Sequence, residues 1–219
     1  MSTPLAWAPD PDDPEEQAFL ALYGAWDPLT PAGIAELLQG FDAPWWSVGG
    51  YAIEAFTGVP RFHEDVDLVM FTDAVPALRE HLDGVLHLWN IYDRTMRPLD
   101  EHTDTLLHPQ SQIWMRRDWS SPWLVDCILD LRDEQGRWVS KRDPEHVAPL
   151  EEVTWVAGDG IRYLRPEIQL FFKAKQDREK DRVDLANAWP LLDAAQQGWL
   201  RQALARNLPE HPWRERLGA

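Results

Sequence analysis

Two acids one residue apart, Asp65 and Asp67, stand in the run Arg61-Phe62-His63-Glu64-Asp65-Val66-Asp67-Leu68-Val69-Met70. In an extended segment side chains alternate faces, so both carboxylates point one way while Val66 and Leu68 point into the opposite layer. Carboxylates held side by side repel each other unless positive charge stands between them. Mg²⁺ is the natural partner, since it prefers carboxylate oxygen and is commonly held by one or two acids together with the phosphates of a substrate. A second short stretch suits the same partner. Gly49 and Gly50 precede the helix-like run 51–56; lacking Cβ atoms, they let the backbone approach phosphate oxygens, and a helix beginning there aims free N–H groups and a positive dipole end at the same place. The two stretches read as two walls of one site, one for a triphosphate and one for its metal. Alone, each is weak, because Gly-Gly before a helix is usually a turn and an Asp-x-Asp at a strand edge is more often solvated. Their order, strand, Gly-Gly, helix, Asp-Val-Asp strand, is what makes the combination specific.

Local patterning supplies the elements that would position these residues. Residues 17–24 carry one apolar face, and Thr30-Pro31 reads as an N-cap followed by proline at the first helical position, with Ile34, Leu37 and Leu38 at helical spacing until Gly40. Residues 45–48 form a short apolar strand, and the helix after Gly50 ends at Gly58 and Pro60. A strand over 66–71 leads into a helix capped at Thr72-Asp73, and a further strand covers 85–89. Residues 90–110 are polar without a clear period and read as loop. Strands are expected at 111–115, 123–131 and 137–140, the last two joined by Asp133-Glu134-Gln135-Gly136, and a hairpin at 153–164 around Gly158-Asp159-Gly160. From Pro166 the pattern is helical: 166–176, 179–192 and 194–207. The shift predicts an α+β domain over 1–160, its segment 1–16 flexible, and a C-terminal helical domain over 161–219.

Composition narrows the partners. The 219 residues suffice for one large or two small domains, and Cys127, the only cysteine, excludes an intrachain disulfide or a cysteine-rich zinc cluster. No leader-like segment or membrane-length apolar run is present, which points to the cytoplasm. The net charge of −16 repels a nucleic-acid backbone and suits a small cationic partner, although acidity also serves solubility alone. Most of the 13 tryptophans are expected to pack in cores or on surfaces.

The strings Gly49-Gly50-Tyr51-Ala52-Ile53-Glu54-Ala55 and Arg61-x-His63-x-Asp65-Val66-Asp67 resemble the nucleotidyltransferase superfamily that includes DNA polymerase beta, in its aminoglycoside 2''-adenylyltransferase and lincosamide nucleotidyltransferase branch. The likeness extends to Arg165-Pro166-Glu167-Ile168-Gln169-Leu170, Lys173-Ala174-Lys175, Lys180-Asp181 and Asp184-Leu185, so it spans residues 45–192. Tyr51 and Glu54 depart mildly from it, where tryptophan and aspartate are common, and leave acceptor specificity open.

The resemblance implies a nucleotidyltransferase-fold mixed sheet flanked by helices, followed by a helical bundle. It implies Mg²⁺-dependent transfer of a nucleoside monophosphate, AMP from ATP, to a hydroxyl of a small, aminoglycoside-like acceptor. It also implies a third carboxylate on a later strand, here Asp126, an acid in the apolar run 123–130 that serves as general base or metal ligand. Asp130, four residues on, reads as a solvated strand end. Asp65, Asp67 and Asp126 are then the catalytic and metal-binding acids. Gly49, Gly50, Arg61 and Lys173 or Lys175 serve the triphosphate, helix-surface ion pairing being the alternative for the lysines. Two other functional readings stay open: a toxin–antitoxin type transferase acting on protein or RNA, and a nucleotide-binding module without turnover. A zinc site at His102 and His108 has no supporting spacing.

Overall fold

The computed structural model describes residues 13–218, apart from the side chains of Glu15 and Glu16. Of the segment expected to be flexible, residues 1–12 lie outside the described residues, and Pro14 already opens a helix. In chain order the elements are α1 (Pro14–Tyr23), α2 (Pro31–Leu37), β1 (Trp45–Ser47), α3 (Gly49–Thr57), β2 (Asp67–Phe71), α4 (Val75–His81), β3 (His87–Tyr92), β4 (Thr95–Pro98), β5 (Gln112–Arg116) and β6 (Trp123–Arg132). They continue with β7 (Trp138–Val139), β8 (Val147–Ala148), α5 (Leu150–Val153), β9 (Thr154–Val156), β10 (Arg162–Leu164), α6 (Pro166–Ala174), α7 (Glu179–Ala188), α8 (Ala194–Asn207) and α9 (Pro212–Leu217). Among the described residues, no helix is long and apolar enough to cross a membrane.

The chain divides into two compact units, Met1–Ser47 with Arg61–Leu131, and Val48–Pro60 with Arg132–Ala219. In the first, six strands lie in the order β4-β3-β5-β6-β2-β1. All of these pairings are antiparallel except β2 with β6, which is parallel. Leu68, Met70, Ile113, Met115, Val125, Cys127 and Leu129 share one face and are buried, as strand alternation places them. Thr30 caps α2, its Oγ1 accepting the Gly33 N–H at 3.2 Å ahead of Pro31 at the first helical position.

Residues 90–110 are not simply a loop. β3 continues through Asn90 to Tyr92 and returns as β4 across Asp93 and Arg94, whose φ angles of 44° and 62° make the two-residue left-handed hairpin turn. Asn-Gly or Asp-Gly usually marks such a turn, and Asp-Arg gives no comparable signal. Asn90 then organises the segment beyond from within the sheet. Its Nδ2 donates to Ser111 Oγ at 2.7 Å, and its Oδ1 accepts the Leu107 N–H at 2.6 Å.

The second unit is built on helix packing. Ile53 of α3 joins Leu170, Phe171 and Ala174 of α6, Leu185 and Ala188 of α7, Leu200, Ala203 and Leu204 of α8, and Trp213 and Leu217 of α9 in one buried cluster. α9 follows three helical segments that the sequence pattern shows, and its own signal is a single turn set off by His211-Pro212. The expected hairpin is present as antiparallel β9 and β10.

Candidate active site

In the first unit, the parallel pairing of β2 with β6 sets Asp67 directly opposite Asp126. The Asp126 N–H donates to the Val66 carbonyl at 3.2 Å, carrying the ladder one residue beyond β2. Register partners on strands about 4.8 Å apart project to the same face, so the two carboxylates stand side by side. Asp67 is half-buried and Asp126 is 7 % exposed. Asp65 precedes β2 and is exposed, so the fold delivers a pair in the ladder and leaves the third acid beside its end. Among the described residues no group of three or more His, Cys, Asp or Glu side chains stands ready to hold a metal ion. Two adjacent carboxylates nonetheless fit the protein's share of a Mg²⁺ shell, because that ion takes its remaining oxygens from water and substrate phosphates rather than from an all-protein cage.

Asp130 is not a solvated strand end. It is 3 % exposed, lies opposite Phe71 across the same parallel ladder, and its backbone carbonyl accepts the Thr72 hydroxyl at 3.2 Å. The turn at Asp133 begins only after β6 has run its full length.

On the other side of β6, Trp114 of β5 is the register partner of Asp126. Its ring lies 6.3 Å from Phe19, 5.9 Å from Tyr23, 5.0 Å from Trp26 and 5.5 Å from Trp123. Arg116 lies over both Trp89, at 4.7 Å, and Trp123, at 4.3 Å. These tryptophans pack, as expected of most of the 13, whereas Trp119 is 76 % exposed.

The glycine turn belongs to the second unit. Gly49 has φ +71°, in the left-handed region, and its N–H donates to Gln169 Oε1 at 2.9 Å at the start of α3. Gly49→Ala is expected to destabilise the chain by about 1–2 kcal/mol, the cost of placing a Cβ in that conformation, read as a lower urea midpoint at unchanged slope. An unchanged midpoint would mean that the turn relaxes to another backbone conformation.

The cations of 165–182 are mostly engaged inside this unit. Lys173, 5 % exposed, places Nζ 3.1 Å from Asp181 Oδ1 and 2.8 Å from Asp184 Oδ2. Arg178 pairs with Asp181 at 2.9 Å and Arg182 with Asp177 at 2.8 Å. Lys175, at the C-cap of α6, is exposed. In the first unit, Arg61 Nη1 donates to the Phe62 carbonyl at 2.7 Å. His108 accepts the Gln110 N–H at 3.0 Å and stacks on Tyr92 at 4.3 Å, while His102 lies 3.4 Å from Glu101, so each histidine has a local role and no zinc set forms among the described residues.

Sequence reading missed Gln112, whose Nε2 donates to Asp126 Oδ2 at 2.7 Å from the neighbouring strand. Its only sequence signal is a polar residue ahead of buried Ile113 and Met115.

No family model and no curated protein matches the chain in sequence. Among solved structures it is similar to the crystal structure of ANT(2'')-Ia in complex with adenylyl-2''-tobramycin, with a TM-score of 0.50 at 18 % identity over 79 % of this chain and 93 % of that one. The crystal structure of lincosamide antibiotic adenylyltransferase LnuA, lincomycin-bound, has a TM-score of 0.49 at 19 % identity over 70 % and 90 % of the two chains. The chain has the nucleotidyltransferase fold, α+β with a mixed sheet.

Proposed function

We propose that the protein is a nucleotidyltransferase that moves AMP from ATP to a hydroxyl of a small, cationic, aminoglycoside-like acceptor. The observation that carries this reading is the placement of Asp67 and Asp126 opposite each other on neighbouring parallel strands. Asp67 and Asp126 would hold Mg²⁺, which when bound neutralises charge on the triphosphate and on the oxygens that attack and leave. The acceptor oxygen bonds to the α-phosphorus as the bond from that phosphorus to the pyrophosphate oxygen breaks, and Asp126 takes the hydroxyl proton. Asp65, exposed beside the pair, adds negative charge at the strand entrance. Arg61 in the first unit, and Gly49, Gly50 and Lys175 in the second, are the phosphate-binding candidates of this reading, with Lys173 fixing the helices on which Lys175 stands.

Two further facts support the acceptor class. The net charge of −16 favours a polycationic small molecule and opposes a nucleic-acid substrate. The similar fold of ANT(2'')-Ia was crystallised with an adenylylated aminoglycoside. The test is incubation with α-labelled ATP and Mg²⁺ against a panel of aminoglycosides, lincosamides and tRNA. Label is expected on an aminoglycoside. Label on a lincosamide or on tRNA instead would replace the acceptor assignment, and no labelled product from any arm would reject it.

A further inference from the structure

We infer that Gln112 is a positioning residue for Asp126, fixing the orientation of its carboxylate toward the cation and the attacking hydroxyl. This inference rests on the transferase reading above. A carboxylate on a strand turns about a soft terminal torsion, so the backbone register that brings Asp126 beside Asp67 does not by itself aim its oxygens. Something must hold the plane. Trp114, the direct partner of Asp126 across β5 and β6, carries an indole N–H, but that group makes no hydrogen bond and leaves the carboxylate unheld from this position. Gln112 is the diagonal neighbour, paired in register with Ile128, and a diagonal separation of about 7–8 Å is within reach of a long side chain. Its amide spans that gap and donates to Oδ2 at 2.7 Å, in the short range of hydrogen bonds to charged acceptors.

The choice of residue follows from the task. An amide donates without adding positive charge, so it orients the carboxylate and leaves the negative charge that a divalent cation needs. Lysine or arginine in the same place would neutralise it, glutamate would add a third anion, and asparagine is too short for the diagonal. Partners that hydrogen-bond metal-binding carboxylates from outside have a characteristic weight: their loss costs about 10- to 100-fold in metal affinity or activity.

The test compares wild type with Gln112→Met, close in size but without the donor, and with Gln112→Asn, which keeps the amide one methylene short. Mn²⁺ binding is measured by electron paramagnetic resonance in the presence of a non-hydrolysable ATP analogue, alongside kcat and KM for transfer and a thermal melt. Both variants are expected to melt cooperatively within about 10 °C of wild type, a shift set by the donor the buried carboxylate loses, and to keep nucleotide KM within about twofold while losing about 10- to 100-fold in Mn²⁺ affinity, kcat or both. Wild-type Mn²⁺ affinity and kcat in either folded variant would overturn the role of Gln112, as would a fall in kcat that comes with loss of a cooperative melt and a rise in KM, the mark of a merely structural residue. The two levels separate in the wild type: Mn²⁺ binding without transfer to any acceptor rejects the transferase reading and leaves the binding comparison to decide Gln112, whereas no Mn²⁺ binding rejects both.

Discussion

Asp67→Asn is expected to lower nucleotide transfer by about 10²- to 10⁴-fold, the range for removing a group that acts directly on charge or proton in the transition state, without unfolding the chain. Asparagine keeps the size and shape of the side chain at a half-buried position, so the ladder between β2 and β6 has no steric reason to open. What disappears is one of two adjacent negative charges, and with it, under the proposed function, half of the protein's share of a Mg²⁺ shell. The free energy of unfolding should change by less than about 1 kcal/mol, as for substitutions that create neither a cavity nor an unpaired buried charge. The decisive comparison is initial rate against stability in one preparation. A variant that retains more than about a tenth of wild-type kcat would remove Asp67 from the chemistry, because a group with a direct role cannot be replaced at so small a loss.

Lys173→Met should produce the largest change in stability, roughly 3–5 kcal/mol, because it leaves two anions in a buried setting without their shared cation. Asp181 is fully buried and Asp184 is 3 % exposed, and both carboxylates converge on the same ammonium. Burial pushes the Asp181 carboxyl up, but the hydrogen bond from Arg178 and the nearby Lys173 charge more than reverse it, so it titrates below its ordinary value. The sign of the pH dependence follows. A depressed carboxyl contributes stability above its unfolded value of about 3.9, and that contribution is lost as pH falls through the lower folded value. Without Lys173 the contribution shrinks, so the gap between wild type and variant should be widest near neutrality and narrow in acid. Replacing both acids as well, in Lys173→Met/Asp181→Asn/Asp184→Asn, should recover much of the loss, since exchanging a whole buried ionic group is far less costly than removing one member. A Lys173→Met urea curve superimposable on wild type would place the ammonium in solvent rather than between the two acids.

Residues that speak to their near neighbours are the ones whose structure was legible beforehand. Thr30-Pro31 starts α2, Gly58 closes α3 with φ 69°, and Gly158-Asp159-Gly160 joins β9 to β10, each through a local turn or cap. Alternation placed β5 and β6, and the Asp-Val-Asp spacing singled out Asp67 before any pairing was visible. The register that sets Asp67 against Asp126, however, joins strands 59 residues apart, and only the resemblance to a known family connected them beforehand. Contacts that depend on tertiary packing left no local trace. Ile53 looks like one apolar residue of a short helix and proves to belong to the buried cluster of the C-terminal helices. Lys173 reads from the sequence as a phosphate-binding or helix-surface cation because its partners, eight and eleven residues on, sit at none of the spacings by which one helix pairs its own side chains. The long reach of Gln112 to Asp126 is a property of a diagonal across two strands, which no single-strand pattern displays.

Cys127 follows Asp126 directly in β6, is 0 % exposed and is the chain's only thiol. Burial pushes its pKa up, and the neighbouring Asp126 and Asp130 charges act in the same direction. An alkylating reagent therefore meets neither a thiolate nor an open path while β6 stays seated, and modification waits for the strand to come away. The unaltered protein thus carries its own stopwatch: a timed pulse of a mass tag, followed by intact mass, counts the molecules in which the segment bearing Asp126 has momentarily come undone.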